Sequence, residues 1–273
     1  MKLPTHVEMV LDEYINLLEE HLPNTLQEIY LHGSIAIGAY ENYSSDIDLL
    51  VVMNRRLVEE DSEALALIHS MLAQRNKKPE LDGVYLYWKD LRKINLQTKE
   101  GNGKYYFYNN GELHYGEYFN FNPVTWWTLK HNGIKVINSN TVDFQFDVSA
   151  QSLVTYVHEN MNSYWINYIK QVKMNKESIL KLPSEKIDEV IEWSVLGLLR
   201  QFYSIKEEKV ISKLNAGSYG ISHLPRKWNN IIQEAINIRS GTGVRITNSE
   251  RKRLENAVQF SHYLIDHCNS LID

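Results

Sequence analysis

A single cysteine in 273 residues is too few for an internal disulfide, and a reducing cytoplasm is the expected setting for such a chain. Cys268 itself reads as a half-buried helix residue without chemistry. The sequence has no apolar run long enough to cross a bilayer, and its N-terminal segment lacks the apolar core of a signal peptide. Neither a membrane span nor a secretory leader is expected. Positive charge is not in excess: 29 Lys and Arg against 34 Asp and Glu leave a formal net charge of -5. A nucleic-acid surface is normally basic, so this balance argues against one and suits a cationic small molecule better. The 10 histidines show no His-x-x-x-His or Cys/His spacing, which excludes the usual zinc sites. Internal repeats and low-complexity stretches are also missing.

What is present is a globular composition, 43% hydrophobic and 23% charged, in a chain long enough for two domains with separate cores. The first hundred residues alternate helix and strand. Val7, Val10, Leu11, Tyr14, Ile15 and Leu18 mark a helix from Thr5 to Leu22, ahead of Pro23. Ile29 to Leu31 and residues 46 to 53 read as strands, Leu57 to Gln74 as a helix, and Leu81 to Trp88 as an aromatic and β-branched strand. Asn109-Asn110-Gly111 is a hairpin signal between Lys104–Tyr108 and Leu113–Phe119. Pro123 opens a short helix, Val124 to His131, which Gly133 closes.

Beyond Asp147 the apolar period is helical to the end. Leu153 to Val172 marks one long helix, Ile187 to Phe202 a second, and Lys227 to Ile238 a third. A fourth begins at a Thr247-to-Glu250 capping box. Gly217-Ser218-Tyr219-Gly220 reads as a loop, and Arg251-Lys252-Arg253 as a solvated face. The fold class expected is therefore α+β, with a mixed-sheet domain over residues 1–145 and a helical bundle over 146–273, joined by a linker near residues 138–148.

The chemistry concentrates in Leu31-His32-Gly33-Ser34-Ile35-Ala36-Ile37-Gly38 and in Ser45-Asp46-Ile47-Asp48. At Gly33 the missing Cβ lets backbone N–H groups approach a phosphate, and Ser34 can donate a hydroxyl where a helix begins. Asp46 and Asp48 are two residues apart on a strand, so period-2 alternation sends both carboxylates to one face. Two such carboxylates repel unless a cation lies between them, and magnesium, which takes one or two carboxylates plus substrate phosphates, meets that need. His32 adjoins the turn, where strand packing and phosphate contact are equally open readings. Chemistry at a phosphorus also calls for a third carboxylate on a neighbouring strand. Asp82 is the candidate, followed by Gly83, with Glu80 the competitor and a turn-capping role the simpler alternative.

Gly-Ser followed about ten residues later by Asp-x-Asp on a strand resembles the nucleotidyltransferase superfamily built on the polymerase-β-like core. With Asn122-Pro123-Val124-Thr125-Trp126-Trp127, Leu196-Gly197-Leu198-Leu199-Arg200 and Ser212-Lys213, the chain is similar to aminoglycoside nucleotidyltransferases of the 3''/9 type, the streptomycin/spectinomycin adenylyltransferases. The resemblance implies transfer of AMP from ATP to a hydroxyl of an aminoglycoside-type antibiotic, with magnesium as cofactor and pyrophosphate as product. It implies that Gly33, Ser34 and Ser45 contact the triphosphate, that Asp46 and Asp48 bind magnesium, and that Lys213 reaches the ATP phosphates from the helical domain. A solvated surface lysine is the competing reading of Lys213.

Asp82 takes the place of the family's catalytic glutamate, as general base and metal ligand. It is one methylene shorter, so its reach differs by about 1 Å, a displacement that can cost roughly a hundredfold in rate. The acceptor is a cationic small molecule, for which acidic and aromatic side chains are expected: Glu112, Glu117, Glu192 and Trp126. A cytoplasmic monomer with no nucleic-acid or membrane partner is expected. The other readings are a protein-modifying AMP transferase of a toxin-antitoxin pair and a nucleotide-binding regulatory protein without turnover.

Overall fold

The apolar positions Val7, Val10, Leu11, Tyr14, Leu17 and Leu18 form the buried face of helix α1 (Thr5–His21) in the computed structural model, which describes residues 3–41, 45–75, 79–91, 103–137 and 148–272. Strand β1 (Leu26–Leu31), the single helical turn α2 (Gly33–Ala36), strand β2 (Ile47–Met53), helix α3 (Glu59–Arg75) and strand β3 (Leu81–Tyr87) follow. A one-turn helix α4 (Trp88–Leu91) ends β3 one residue earlier than the sequence suggests. Strands β4 (Tyr105–Asn109) and β5 (Glu112–Gly116) form the expected hairpin. Its two turn residues, Asn110 and Gly111, both hold positive φ, as a type I′ turn requires. Helix α5 (Pro123–Asn132) starts at Asn122, whose side chain accepts from the N–H groups of Val124 and Thr125. Strand β6 (Ile134–Lys135) completes the sheet.

The six strands lie in the order β5-β4-β3-β2-β1-β6. Among the described residues only β2 and β3 run parallel and the other pairings are antiparallel, so the sheet is mixed. Alternation along β2 divides its residues between two cores. Ile47, Leu49, Val51 and Met53 pack with α1 and α3, whereas Leu50 and Val52 pack with Val84, Leu86, Phe121 and Trp126 on the other face. Each such buried aliphatic side chain contributes about 1.5–3 kcal/mol. The even-numbered face of β2 and β3, which carries Asp48 and Asp82, is thus the face covered by α5.

Polar groups are threaded through the first of these cores. Tyr14 donates to the Tyr85 hydroxyl at 2.7 Å, and that hydroxyl lies 2.7 Å from His69 Nε2. The His69 ring stacks on Tyr108 with centroids 3.6 Å apart. Burial lowers the His69 pKa to about 3, so the ring is neutral. At the sheet edge, Lys135 Nζ lies 2.9 Å from the fully buried Glu28 carboxylate, which also accepts from Tyr30.

The chain divides into two compact units, residues 1–148 and 149–273. In the second, α6 (Ala150–Asn160) and α7 (Ile166–Met174) form one helical stretch interrupted by a π turn over Met161–Trp165. The one-turn α8 (Lys176–Ile179) precedes α9 (Ser184–Glu207), α10 (Lys213–His223), α11 (Asn229–Arg239) and α12 (Glu250–Ile272). Gly217 and Gly220 lie inside α10, not in a loop. A Cβ at Gly217 would meet Ile236 Cγ1 at 2.6 Å, and one at Gly220 would meet Leu199 Cδ2 at 2.5 Å. Here glycine serves close helix packing, which outweighs its poor helix propensity.

Two further expectations need correcting at α12. The helix begins at Glu250, with Ser249 Oγ accepting from the Lys252 N–H at 3.4 Å, so Ser249 occupies the cap position expected for Thr247. Arg253 is not on a solvated face. Its fully buried guanidinium pairs with Asp188, Glu234 and Glu250, because a buried cation must be matched by carboxylates.

Candidate active site

Gly33 lies at φ +59, and a Cβ there would stand 1.8 Å from Asp48 Oδ2. The Asp48 carboxylate is therefore packed directly against the glycine turn, and any side chain at position 33 would displace it. The His32 N–H donates to the Asp48 carbonyl at 3.1 Å, extending the β1–β2 pairing up to the turn. His32 is buried, and burial lowers its pKa to about 4, so the ring is neutral and belongs to the packing around the turn. Ser34 is half-buried in α2. Ser45 is buried; its Oγ accepts from the Glu41 N–H at 3.0 Å and its own N–H donates to the Glu41 carbonyl, two bonds that tie it to Glu41 just before β2.

Across the parallel pair, Asp48 and Asp82 are Cα partners, as are Leu49 and Gly83. A Cβ at Gly83 would meet Leu49 Cβ at 2.8 Å, so the strands are held tightly next to the two carboxylates. Asp46 is exposed just before β2, while Asp48 and Asp82 are half-buried. The pKa of Asp82 is raised to about 6, by burial first of all. The negative charges of Asp46 and, more weakly, Glu80 push it the same way, whereas hydrogen bonds from Asn109 and Tyr118 oppose the rise. Asn109 Nδ2 donates to Asp82 Oδ2 at 2.6 Å and the Tyr118 hydroxyl donates to Oδ1 at 3.4 Å. Tyr118 is itself raised well above the usual phenol range by burial and by the charges of Asp82 and Asp48.

The charge of Asp46 is felt at Asp82, and those of Asp82 and Asp48 at Tyr118, so the three carboxylates share one field. Among the described residues no three His, Cys, Asp or Glu side chains converge as a ready-made metal site. Asp82 accepts from Asn109 and Tyr118. The donor set suits a hard cation held by one or two carboxylates and completed by phosphate oxygens.

The acceptor candidates fare differently. Trp126 is fully buried, with its ring stacked on Phe121 at 5.3 Å, so it is core and offers no surface to an acceptor. Glu112 is exposed at the start of β5, paired with Asn109 and so one strand away from the Asp82 contact. Glu117 is exposed beyond β5. Glu192, on α9, is not a free carboxylate: its Oε1 lies 2.9 Å from Lys213 Nζ and 3.5 Å from Arg239 Nη1. Lys213, at the first turn of α10, is largely buried and is not a solvated surface lysine. Asn109 and Tyr118 were not foreseen as site residues. Asn109 carried only a hairpin signal in the sequence, and Tyr118 lay unmarked within the Leu113–Phe119 strand.

Residues 11–100 match the family model described as nucleotidyltransferase domain. Residues 164–267 match that described as aminoglycoside adenylyltransferase, C-terminal domain. The chain is an enzyme of the aminoglycoside nucleotidyltransferase class. Among solved structures, its fold is similar to that of the spectinomycin adenyltransferase AAD(9) from Enterococcus faecialis with ATP and spectinomycin. The TM-score is 0.67 at 17% identity, over 96% of this chain and 99% of that one. No curated protein matches the sequence. The nucleotidyltransferase match contains Gly33, Ser34, Asp46, Asp48 and Asp82, whereas the C-terminal match contains Glu192, Lys213 and Arg239. Among the described residues no helix is long and apolar enough to cross a membrane.

Proposed function

We propose that this enzyme transfers AMP from ATP to a hydroxyl of an aminoglycoside-type acceptor of the streptomycin/spectinomycin class, releasing pyrophosphate. The observation that carries this reading is the pairing of Asp48 with Asp82 beside the Gly33 turn. In it, carboxylates for a metal, the glycine turn that admits one of them and a base of shifted pKa come together on one sheet face.

Asp46 and Asp48 would hold magnesium, which when bound neutralises charge on the phosphates and on the transferring group. Gly33, at positive φ and followed by helical residues, presents successive N–H groups of the kind that cradle anions, with the Ser34 hydroxyl alongside. Asp82 takes the proton of the attacking hydroxyl. As a carboxylate on the sheet face of Asp48 it is placed to accept that proton. Asn109 and Tyr118 fix its direction while leaving lone pairs for the acceptor. The acceptor oxygen forms its bond to the α-phosphorus as the bond from that phosphorus to the bridging oxygen breaks, and the electron pair leaves with pyrophosphate. Lys213, with Arg239 nearby, supplies positive charge for the phosphates. Buried Cys268 without a disulfide suits work in the cytoplasm.

ATP and spectinomycin in the similar solved enzyme make spectinomycin and streptomycin the first acceptors to test. Pyrophosphate release is measured with ATP, magnesium and each compound in turn. Release that depends on the drug, with adenylylated drug found by mass, is the expected result. ATP binding with no product from any member of the panel would contradict the proposal.

A further inference from the structure

Asn109 reaches the candidate base from just beyond the sheet ladder. Among the described residues the pairing of β3 with β4 ends at Gly83 and Tyr108. Asn109 is the next and last residue of β4, directly before the two positive-φ residues of the hairpin turn. Its Nδ2 nevertheless lies 2.6 Å from Asp82 Oδ2. The place of Asn109 against β3 is therefore inherited from Tyr108.

Tyr108 has unequal neighbours in the sheet. Its Cα partner on β5 is Leu113, whereas on β3 it is Gly83, which has no side chain to lay beside the ring. A ring from α3 supports it instead: His69 stacks on Tyr108 with centroids 3.6 Å apart and an interplanar angle of 4°. His69 is buried and is itself held from two sides. Its Nε2 lies 2.7 Å from the Tyr85 hydroxyl, which accepts from Tyr14 on α1 at 2.7 Å, and the Tyr85 ring meets it edge-on at 6.1 Å. Satisfied polar networks in a core rigidify it and specify one arrangement. Here the arrangement includes the Tyr108 ring. Successive strand residues point to opposite faces, so the stack lies on the α3 side of β4 while Asn109 meets Asp82 on the other.

We propose that His69 is a positioning residue for the reaction: by stacking on Tyr108 it fixes the end of β4, and with it the hydrogen bond from Asn109 to Asp82. The inference rests on the reading of Asp82 as the group that takes the acceptor's proton. Such a group must be held closely, since a displacement of about 1 Å can cost roughly a hundredfold in rate.

The first test needs no turnover. In NMR spectra of the isotopically labelled full chain, the Asn109 side-chain amide is identified by its loss in N109A. Its signal is expected to stay in place in H69F, which keeps a stacked ring, and to move in H69L, which does not. An unmoved signal in a folded H69L would overturn the positioning role. If H69L does not fold, Y108L removes the same stack from the β4 side and is read in the same way. The second test is turnover with ATP, magnesium and spectinomycin. H69L is expected to lower kcat about fivefold with KM for ATP unchanged, H69F to stay near wild type, and H69L to add no further loss to N109A. A loss in H69F as large as that in H69L, or losses in H69L and N109A that multiply in the double variant, would overturn the role. A wild-type enzyme that turns over no acceptor would overturn the reading of Asp82, and the Asn109 signal would then decide the role of His69 by itself.

Discussion

Asp48 and Asp82 face the same side of the sheet as Cα partners across the parallel β2–β3 pair. Their separation is that of adjacent strands, about 4.8 Å between backbones. Carboxylates so placed, with Asp46 adding its charge, repel in the absence of a cation. Asp48→Asn should therefore lower turnover about a hundredfold or more, while the melting temperature measured in a metal chelator stays level or rises. A fall in both would mean that Asp48 serves mainly the fold.

Gly33 is required by contact as well as by conformation. Gly33→Ala puts a Cβ where Asp48 Oδ2 now lies and keeps a non-glycine residue at φ +59. A loss of about 1–3 kcal/mol of stability by urea unfolding is expected, together with a fall in turnover out of proportion to it, since the displaced group is a proposed metal ligand. Wild-type turnover in Gly33→Ala would show that the seating of Asp48 against the turn has no part in turnover.

Asn109 is the shortest contact to Asp82, at 2.6 Å. Asn109→Ala removes the donor but leaves the positive-φ turn at Asn110 and Gly111 intact. We expect kcat to fall about tenfold with little change in KM for ATP. A change confined to KM would place Asn109 in nucleotide binding instead of base positioning.

His69 is a pH-sensitive point of the fold. Its folded pKa of about 3 is below the ordinary 6.5, so the unfolded chain binds more protons between those values and stability falls as pH drops from about 6.5 toward 3. Above that window the contribution is fully present. His69→Phe should flatten this part of the dependence, read as the urea midpoint between neutral and acid pH. An unchanged slope in the variant would show that other groups control it.

Much of the fold was legible because its signals are local. Helix α1, strands β2 and β3, the hairpin at Asn110-Gly111 and the Pro123 start of α5 each rest on a periodicity or a turn residue within a few positions. Strand β6 was missed, because two residues carry no period; it is held by the bond from Lys135 to Glu28, 107 positions away. Gly217 and Gly220 misled for a related reason, since their meaning lies in Ile236 and Leu199 across the bundle. The same division runs through the site. Asp48 lies on the even-numbered face that alternation gives, whereas Asp46 stands one residue ahead of β2, outside the strand expected to carry it, and the match of Asp48 to Asp82 needed only the idea of a neighbouring strand. The partners of Asp82 and the pairing of Glu192 with Lys213 depend on tertiary contacts that spacing does not encode. Trp126 shows the opposite limit: an aromatic beside a motif is more often core.

The central claim is that this site moves a nucleotidyl group, and the destination of the α-phosphate tests it most directly. ATP labelled at the α-phosphate and ATP labelled at the γ-phosphate are each incubated with the enzyme, magnesium and spectinomycin or streptomycin, and the acceptor is then isolated. Label from the α position in the acceptor, none from the γ position, and loss of transfer in Asp82→Asn are predicted. Acceptor labelled from the γ position, or unlabelled by either, would contradict the account.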